Sequence, residues 1–216
     1  MGFEVLGMWA DEEQKIQSCL VESLRLLIAQ KTIKTTDQEK YISGKLRPFL
    51  TRVCKRQELN WSLHAETSTF EQEDDAEAEG HPDIQFSRRA PDYNQYDYHV
   101  ECKLVRLKES KSDTDYCYKY VSNGILRYQT RKYAQTFSPL LPPMGTMLGY
   151  VQAGDLPELL KTINEKIEYQ QKKRFPQLQK ITEPNLFHAG DVSRLQQGIQ
   201  RNTANFVLHH LWADFR

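Results

Sequence analysis

The period of the hydrophobic pattern changes along this chain, and those changes constrain the fold more than any other feature of the sequence. Apolar residues recur at helical spacing in some segments and alternate with polar residues, as in strands, in others. Helical segments are predicted over 11–30, 35–56, 114–137 and 155–175, and strands over 60–70, 82–86, 96–105, 145–154 and 204–215. This order, two helices, three strands and then alternating helices and strands, predicts an α/β protein with a mixed β-sheet flanked by helices.

Composition indicates a folded globular protein whose charges are unevenly spread. Charged residues make up 27% of the 216 residues, hydrophobic residues make up 39%, and the formal net charge is zero. These values exclude a disordered chain or a membrane-embedded one. Nine of the 29 acidic residues, but none of the 29 basic ones, lie between residues 57 and 87, so the remainder carries a net charge of +9. A basic remainder of this kind is compatible with a polyanionic partner.

The acidic run over residues 71–80, EQEDDAEAEG, is the densest block of charge in the chain. Like charges in sequence repel and require water, which favours a solvated loop. The alternative left open is a regulatory segment that mimics nucleic acid and occupies a binding site.

Motifs for several other classes of protein are missing from the sequence. The four cysteines show no C-x-x-C spacing, so neither a zinc site nor a disulfide framework is indicated. Phosphate-binding glycine loops are also absent, and any ATP-driven step would therefore depend on a partner such as a helicase or ATPase. Because no apolar run has the length of a bilayer span and no secretory pattern opens the chain, we expect a cytoplasmic protein without membrane contact.

The heptapeptide YHVECKL, residues 98–104, places an acid and a lysine on the same face of a predicted strand. Side chains alternate in a strand, so Glu101 and Lys103 point away from the apolar face. A pattern this short recurs by chance, and the alternative is a solvated ion pair on an edge strand.

Asp83 opens the preceding predicted strand, and pairing of the two strands as a hairpin would bring it to the same end of the sheet as Glu101. Two adjacent carboxylates require a cation, and oxygen ligands suit Mg²⁺ or Mn²⁺. Lys103 would then lie beside that metal, where it could orient water or stabilise charge on a phosphate.

Pro82 and Asp83, followed by Glu101, Cys102 and Lys103, resemble the signature of the PD-(D/E)xK nuclease superfamily. This resemblance implies the restriction-endonuclease-like fold, whose core has the order α-β-β-β-α-β. The deduced elements match that core over residues 36–151, with the helix at 11–30 and residues 156–216 as additions within a single domain of residues 1–216. The resemblance also implies metal-dependent phosphodiester hydrolysis, with Asp83 and Glu101 as metal ligands and Lys103 as the catalytic lysine.

Members of this superfamily often add an acid from the helix that precedes the sheet. Glu39 is the first candidate for this catalytic and metal-binding position, and Glu22 in the earlier helix is the second. An acid in a first helical turn is also common for its effect on the helix dipole. Asp92, in a second Pro-Asp pair, competes with Asp83 for the role of metal aspartate, but its predicted place in a turn favours Asp83.

Basic residues on the helix after the lysine strand are candidates for nucleic-acid binding. Arg127 and Arg131 are four residues apart, so they share one helical face, and Lys132 adjoins them. We expect these three side chains to contact backbone phosphates. The alternative is an ordinary solvated face.

These residues together predict a Mg²⁺- or Mn²⁺-dependent endonuclease that acts on DNA in preference to RNA. A subunit of an anti-phage defence or restriction system would suit a small domain of this kind, and cleavage of both strands would require a homodimer or two successive nicks. The alternative function is a non-catalytic adaptor that uses the same fold to bind nucleic acid or a partner protein.

Overall fold

A computed structural model describes residues 2–65, 82–89, 95–130, 145–182, 189–200 and 205–216. The helices are α1 Gly2–Ala29, α2 Glu39–Arg56, α3 Tyr116–Tyr120, α4 Leu126–Gln129 and α5 Leu156–Lys173, and a π-helical turn, Val121–Ile125, joins α3 to α4. The strands are β1 Ser62–Ala65, β2 Ile84–Arg89, β3 Gln95–Val105, β4 Gly145–Val151, β5 Ile181–Thr182, β6 Val192–Ile199 and β7 Phe206–Asp214.

All seven strands form one mixed sheet in the order β1-β2-β3-β4-β7-β6-β5. The β1-β2-β3 meander is antiparallel, β4 is parallel to both β3 and β7, and β5-β6-β7 is again antiparallel. The prediction of a mixed α/β protein with a mixed sheet is therefore confirmed. β3 lies inside the sheet between β2 and β4, so its charged pair is not on an edge strand.

Two hydrophobic cores cover the two faces of the sheet. On one face α1 and α2 pack against apolar side chains of the central strands, including Val100, Cys102 and Leu148. On the other face α3, the π-helical turn and α5 pack against Met147, Val151 and further side chains of β4, β6 and β7. Glu101 and Lys103 share this second face, so helices cover the side of β3 on which the sequence placed its charged residues.

The two N-terminal helices, α1 and α2, are explained by the stripe of apolar residues along one side of each. The stripe of α1 is fully buried at Ile16, Leu20, Leu24 and Leu27. The helix begins at Gly2, nine residues before its predicted start. In α2 every stripe residue is buried and the helix continues through Pro48, since proline interrupts only the local hydrogen bonding of a helix held by tertiary packing.

The C-terminal part of the sheet contains two strands that the sequence pattern did not predict. β6 buries polar residues such as Ser193 and Gln197 among its apolar ones, which obscures the alternation. The Gln197 side chain donates from Nε2 to the carbonyl of Gln179, at 2.6 Å, while its Oε1 has no hydrogen-bond partner among the described residues. Strand β5 has only two residues and is too short to leave a pattern.

Among the helices in the described part of the chain, none combines the length and the apolar character needed to cross a bilayer.

Candidate active site

Lys103 lies at the centre of a cluster of three carboxylates contributed by β3, α2 and the residue before β2. Its Nζ is 2.6 Å from Glu101 Oε1, 3.0 Å from Glu39 Oε1 and 3.9 Å from Asp83 Oδ2. Nζ also donates a hydrogen bond to the carbonyl of Cys102, at 2.6 Å. The structure thus brings together all four residues for which the sequence predicted a catalytic role.

Strand register places Asp83 in this cluster. Ile84 of β2 pairs with Val100 of β3, so the residue before Ile84 comes beside the residue after Val100. Asp83 Oδ2 accepts a hydrogen bond from the backbone N–H of Cys102, at 2.6 Å. This bond fixes the carboxylate against β3, next to Glu101.

Glu39 reaches the cluster from the first turn of α2. Its Oε2 accepts a hydrogen bond from the backbone N–H of Leu104, at 3.2 Å, while Oε1 contacts Lys103. The segment before α2 is held to the end of β4, because Gln152 Nε2 donates to the carbonyls of Lys34 and Asp37, at 3.2 and 2.7 Å. The position of this helix end therefore depends on the sheet, and with it the position of Glu39.

The competing acids lie elsewhere. Glu22 of α1 pairs with Arg56 and accepts a hydrogen bond from Gln57, away from the lysine cluster. Asp92 lies outside the described residues, as does the acidic run over 71–80.

Arg127 adds a second cation to the cluster. Its Nη1 is 2.7 Å from Glu101 Oε1, the oxygen that Lys103 also contacts. The sequence placed Arg127 on a phosphate-binding face together with Arg131 and Lys132, but those two residues lie outside the described residues. Phosphate binding by these three side chains stays a prediction, and the ion pair with Glu101 was not anticipated.

Glu101 is the most deeply buried member of the cluster, with no exposed surface. Its Oε2 has no hydrogen-bond partner within the described part of the chain. Burial raises the pKa of Glu101 to about 7, against the lowering effect of the neighbouring Lys103 and Arg127, and Asp83 raises it further. A half-satisfied carboxylate of this kind is costly for folding and is typical of functional sites.

The pKa values of Glu39 and Lys103 are also shifted, because both side chains lie among the same closely spaced charges. Burial raises the pKa of Glu39 above its usual value, although Lys103 partly offsets this effect. Burial alone would lower the pKa of Lys103, but the carboxylates of Glu101, Glu39 and Asp83 outweigh it and raise that pKa above its usual value. The lysine therefore keeps its proton at neutral pH.

A cleft of about 340 Å³ gives access to this cluster. The lining residues are Gln38, Glu39, Lys103, Leu104, Tyr116, Lys119, Asn123 and Arg127. Lys119, Asn123 and Arg127 follow one another at intervals of four residues, a spacing that is visible in the sequence, but only Arg127 among them was predicted to bind nucleic acid. All three line the cleft, and Lys119 and Arg127 add positive charge to it.

The donor set of the cluster fits a hard divalent cation, although the side chains are not gathered around a common point. Among the described residues no three or more His, Cys, Asp or Glu side chains are arranged to hold a metal ion. The ammonium group of Lys103 lies between the carboxylates instead. Among the described residues, three carboxylates face two cations, which leaves an excess of negative charge when all three acids are ionised. Oε2 of Glu101, which has no hydrogen-bond partner among these residues, is a ready oxygen ligand. A bound cation would require Lys103 to move aside.

Comparison of the chain with protein-family models, with curated proteins and with solved structures finds no match.

Proposed function

We propose that this protein is a divalent-metal-dependent nuclease that hydrolyses phosphodiester bonds in DNA. The observation that carries the proposal is the cluster on β3, in which one lysine lies within 4 Å of three carboxylates and, together with Glu39, lines an open cleft. A buried set with more carboxylates than cations destabilises the fold, and this cost is understandable where the set serves chemistry.

The order of the elements supports the same proposal. Helix α2, strands β1 to β3, the α3–α4 helical segment and β4 follow one another as the restriction-endonuclease-like core requires. The cluster also lies where that resemblance implies a site, on β3, where this strand is flanked by the antiparallel β2 and the parallel β4.

Each side chain has a distinct role in the proposed reaction. Asp83 and Glu101, together with Glu39, would hold Mg²⁺ or Mn²⁺. When bound, the metal supplies an activated water and stabilises charge on the phosphate oxygens. Lys103 remains protonated and donates hydrogen bonds, so it can orient the attacking water or neutralise charge that develops on the phosphate. Arg127 lies at the same cleft and provides a second positive charge for the substrate.

Cleavage assays on plasmid, linear and single-stranded DNA, with Mg²⁺, with Mn²⁺ and with EDTA, test this function. Parent protein is expected to cleave at least one substrate only when metal is present. Glu101→Gln keeps the shape of the side chain but removes the charged ligand, and it is expected to lower the rate by about 10²-fold or more. Lys103→Arg keeps the charge but changes the donor geometry, and a loss of about the same size is expected.

Glu109→Gln and Lys108→Arg are the matched controls, because both side chains are exposed and lie outside the cluster on the segment that follows β3. Both are expected to cleave as the parent does. Cleavage that persists in EDTA, or full activity of Glu101→Gln, would contradict the proposal. Metal binding by a parent protein that cleaves none of the substrates would favour the adaptor alternative.

A further inference from the structure

A second cleft, of about 440 Å³, adjoins the active-site cleft along the helical layer. The residues Asn123 and Arg127 line both clefts. One wall of the second cleft is formed by α3, the π-helical turn and α4. The other wall is the C-terminal end of α5 and the residues that follow it. A molecule bound in one cleft could therefore extend into the other without leaving the surface.

Positive charge dominates this second cleft. Its lining includes Arg127, Lys173 and Arg174, and none of its ten described lining residues is acidic. Lys173 and Arg174 are exposed, so their charges are available to a ligand. The remaining polar lining consists of hydroxyl and amide side chains, which are common contacts to phosphate oxygens. This chemistry suits a polyanion.

Aromatic side chains add a second type of contact. Tyr118 of α3 is 37% exposed and lines the cleft, so part of its side chain is accessible there. Phe175 also lines the cleft, and the guanidinium carbon of Arg174 lies 5.4 Å from the centre of its ring. Cations interleaved with accessible rings are the combination with which proteins hold unpaired bases and their backbone.

We propose that the second cleft binds a single-stranded stretch of DNA that adjoins the phosphate in the active site. Lys173 and Arg174 contact backbone phosphates, and an unpaired base stacks on Tyr118. This inference rests on the proposed nuclease function for its substrate class. It adds that the enzyme prefers substrates with an unpaired segment over continuous duplex.

The position of Lys173 also has a purely structural explanation. Basic residues in the last turn of a helix interact favourably with the helix dipole, and both Lys172 and Lys173 occupy the last turn of α5. Lys172 is exposed but does not line the cleft. Lys172 is therefore a matched control for Lys173, because it has the same charge and lies on the same helix but its side chain does not line the cleft.

Fluorescence anisotropy in EDTA measures binding without cleavage, with a labelled single strand of about 20 nucleotides and the corresponding duplex as probes. Parent protein is expected to bind the single strand more tightly than the duplex. Lys173→Ala and Arg174→Ala are each expected to weaken binding and to reduce the slope of log K against log salt concentration by about 0.7. Tyr118→Ala is expected to raise Kd by about five- to 100-fold, whereas Lys172→Ala is expected to bind as the parent does.

Two outcomes would overturn the inference: equal losses in Lys172→Ala and Lys173→Ala, or duplex binding as tight as single-strand binding. The experiments can contradict the nuclease proposal and this inference independently of each other. If the cleft variants lose single-strand binding while no metal supports cleavage, the binding cleft stands and the nuclease does not. If cleavage depends on Glu101 but the cleft variants bind like the parent, only the cleft assignment is wrong.

Discussion

At the scale of single residues, Glu101 shows how much the stability of this site depends on the neutralisation of buried negative charge. It is completely buried, and both of its cationic partners, Lys103 and Arg127, contact the same oxygen. Two neighbouring acids, Asp83 and Glu39, compete for the ammonium group of Lys103. Removing one partner of a buried ion pair leaves an uncompensated charge, which costs more than the pair contributes.

Lys103→Met is therefore expected to lower the free energy of unfolding by about 3–5 kcal/mol in EDTA. The side chain of Lys103 is only 12% exposed, so water can replace little of the lost interaction. In a Glu101→Gln background the same substitution is expected to cost less than half as much, because the most deeply buried charge has gone. Urea unfolding at about pH 8 of the parent, of Lys103→Met, of Glu101→Gln and of the double variant gives the four free energies of this double-mutant cycle.

The same cycle predicts a dependence on pH with a definite sign. Burial raises the pKa of Glu101 to about 7, so the folded protein holds a proton that the unfolded chain releases at its ordinary pKa of 4.5. Over this interval the contribution of Glu101 to stability falls as pH rises. The cost of Lys103→Met is thus expected to be smaller at about pH 6 than at about pH 8. Equal costs at both pH values, or strict additivity in the cycle, would show that Glu101 is not the group that Lys103 neutralises.

At the scale of elements, β4 is the strand that the rest of the site depends on. All seven of its residues are buried, it pairs with β3 on one side and β7 on the other, and the sequence predicted a strand over residues 145–154. Gly149 is the fifth of its seven residues. A Cβ there would come within 2.5 Å of Trp212 Cδ1 and 3.0 Å of Val105 Cγ2, both of which are held in the core.

Gly149→Ala is expected to destabilise the protein by about 1–3 kcal/mol, because the rings and strands around it have no room for the added methyl group. Gly44→Ala in α2 is the matched comparison. Among the described residues no atom outside the adjoining helix backbone lies within 4 Å of the corresponding Cβ, and the residue is in a helix interior, so a gain of about 0.5–1 kcal/mol is expected. Thermal and urea unfolding measure both changes. A gain for Gly149→Ala would mean that Trp212 can move aside.

Elements with regular apolar spacing could be predicted from sequence, and those whose form depends on tertiary contacts could not. The period of three or four in α2 and α5 was sufficient to place both helices. The π-helical turn has no such signal, because it depends on how closely Gly124 approaches the sheet: a Cβ at that position would clash with Met147 Cε. β6 was missed because polar residues such as Ser193 and Gln197 are buried on it, which breaks the alternation of apolar and polar residues.

At the scale of the whole molecule, the site could be predicted as far as strand geometry determines it. Asp83 and Glu101 follow from hairpin register, and Lys103 follows from the alternation of side chains on β3. Glu39 required knowledge of where α2 begins relative to the sheet, which the sequence suggested only through the resemblance. The direction of Arg127 depends on the rotation of the α3–α4 segment about its axis, which no local pattern specifies.

The metal binding that the proposed function requires would connect the site to the stability of the whole chain. A ligand that binds only the folded state raises the free energy of unfolding, by about 2.7 kcal/mol when its concentration is 100 times Kd. For a chain of this size such a gain corresponds to a rise in Tm of about 5–11 °C. Added Mn²⁺ is therefore expected to raise the Tm of the parent by several degrees in a thermal unfolding experiment, since it would relieve the excess negative charge around Glu101.

The Tm of Glu101→Gln is expected to respond little to Mn²⁺, because the variant loses the buried carboxylate that the metal would satisfy. Glu109→Gln, with an exposed acid outside the cluster, is expected to respond as the parent does. An equal shift in all three proteins would assign the metal to another part of the chain. An unchanged Tm of the parent at saturating Mn²⁺ would mean that the metal does not displace Lys103 from the carboxylates in the free protein. Metal binding would then require bound nucleic acid.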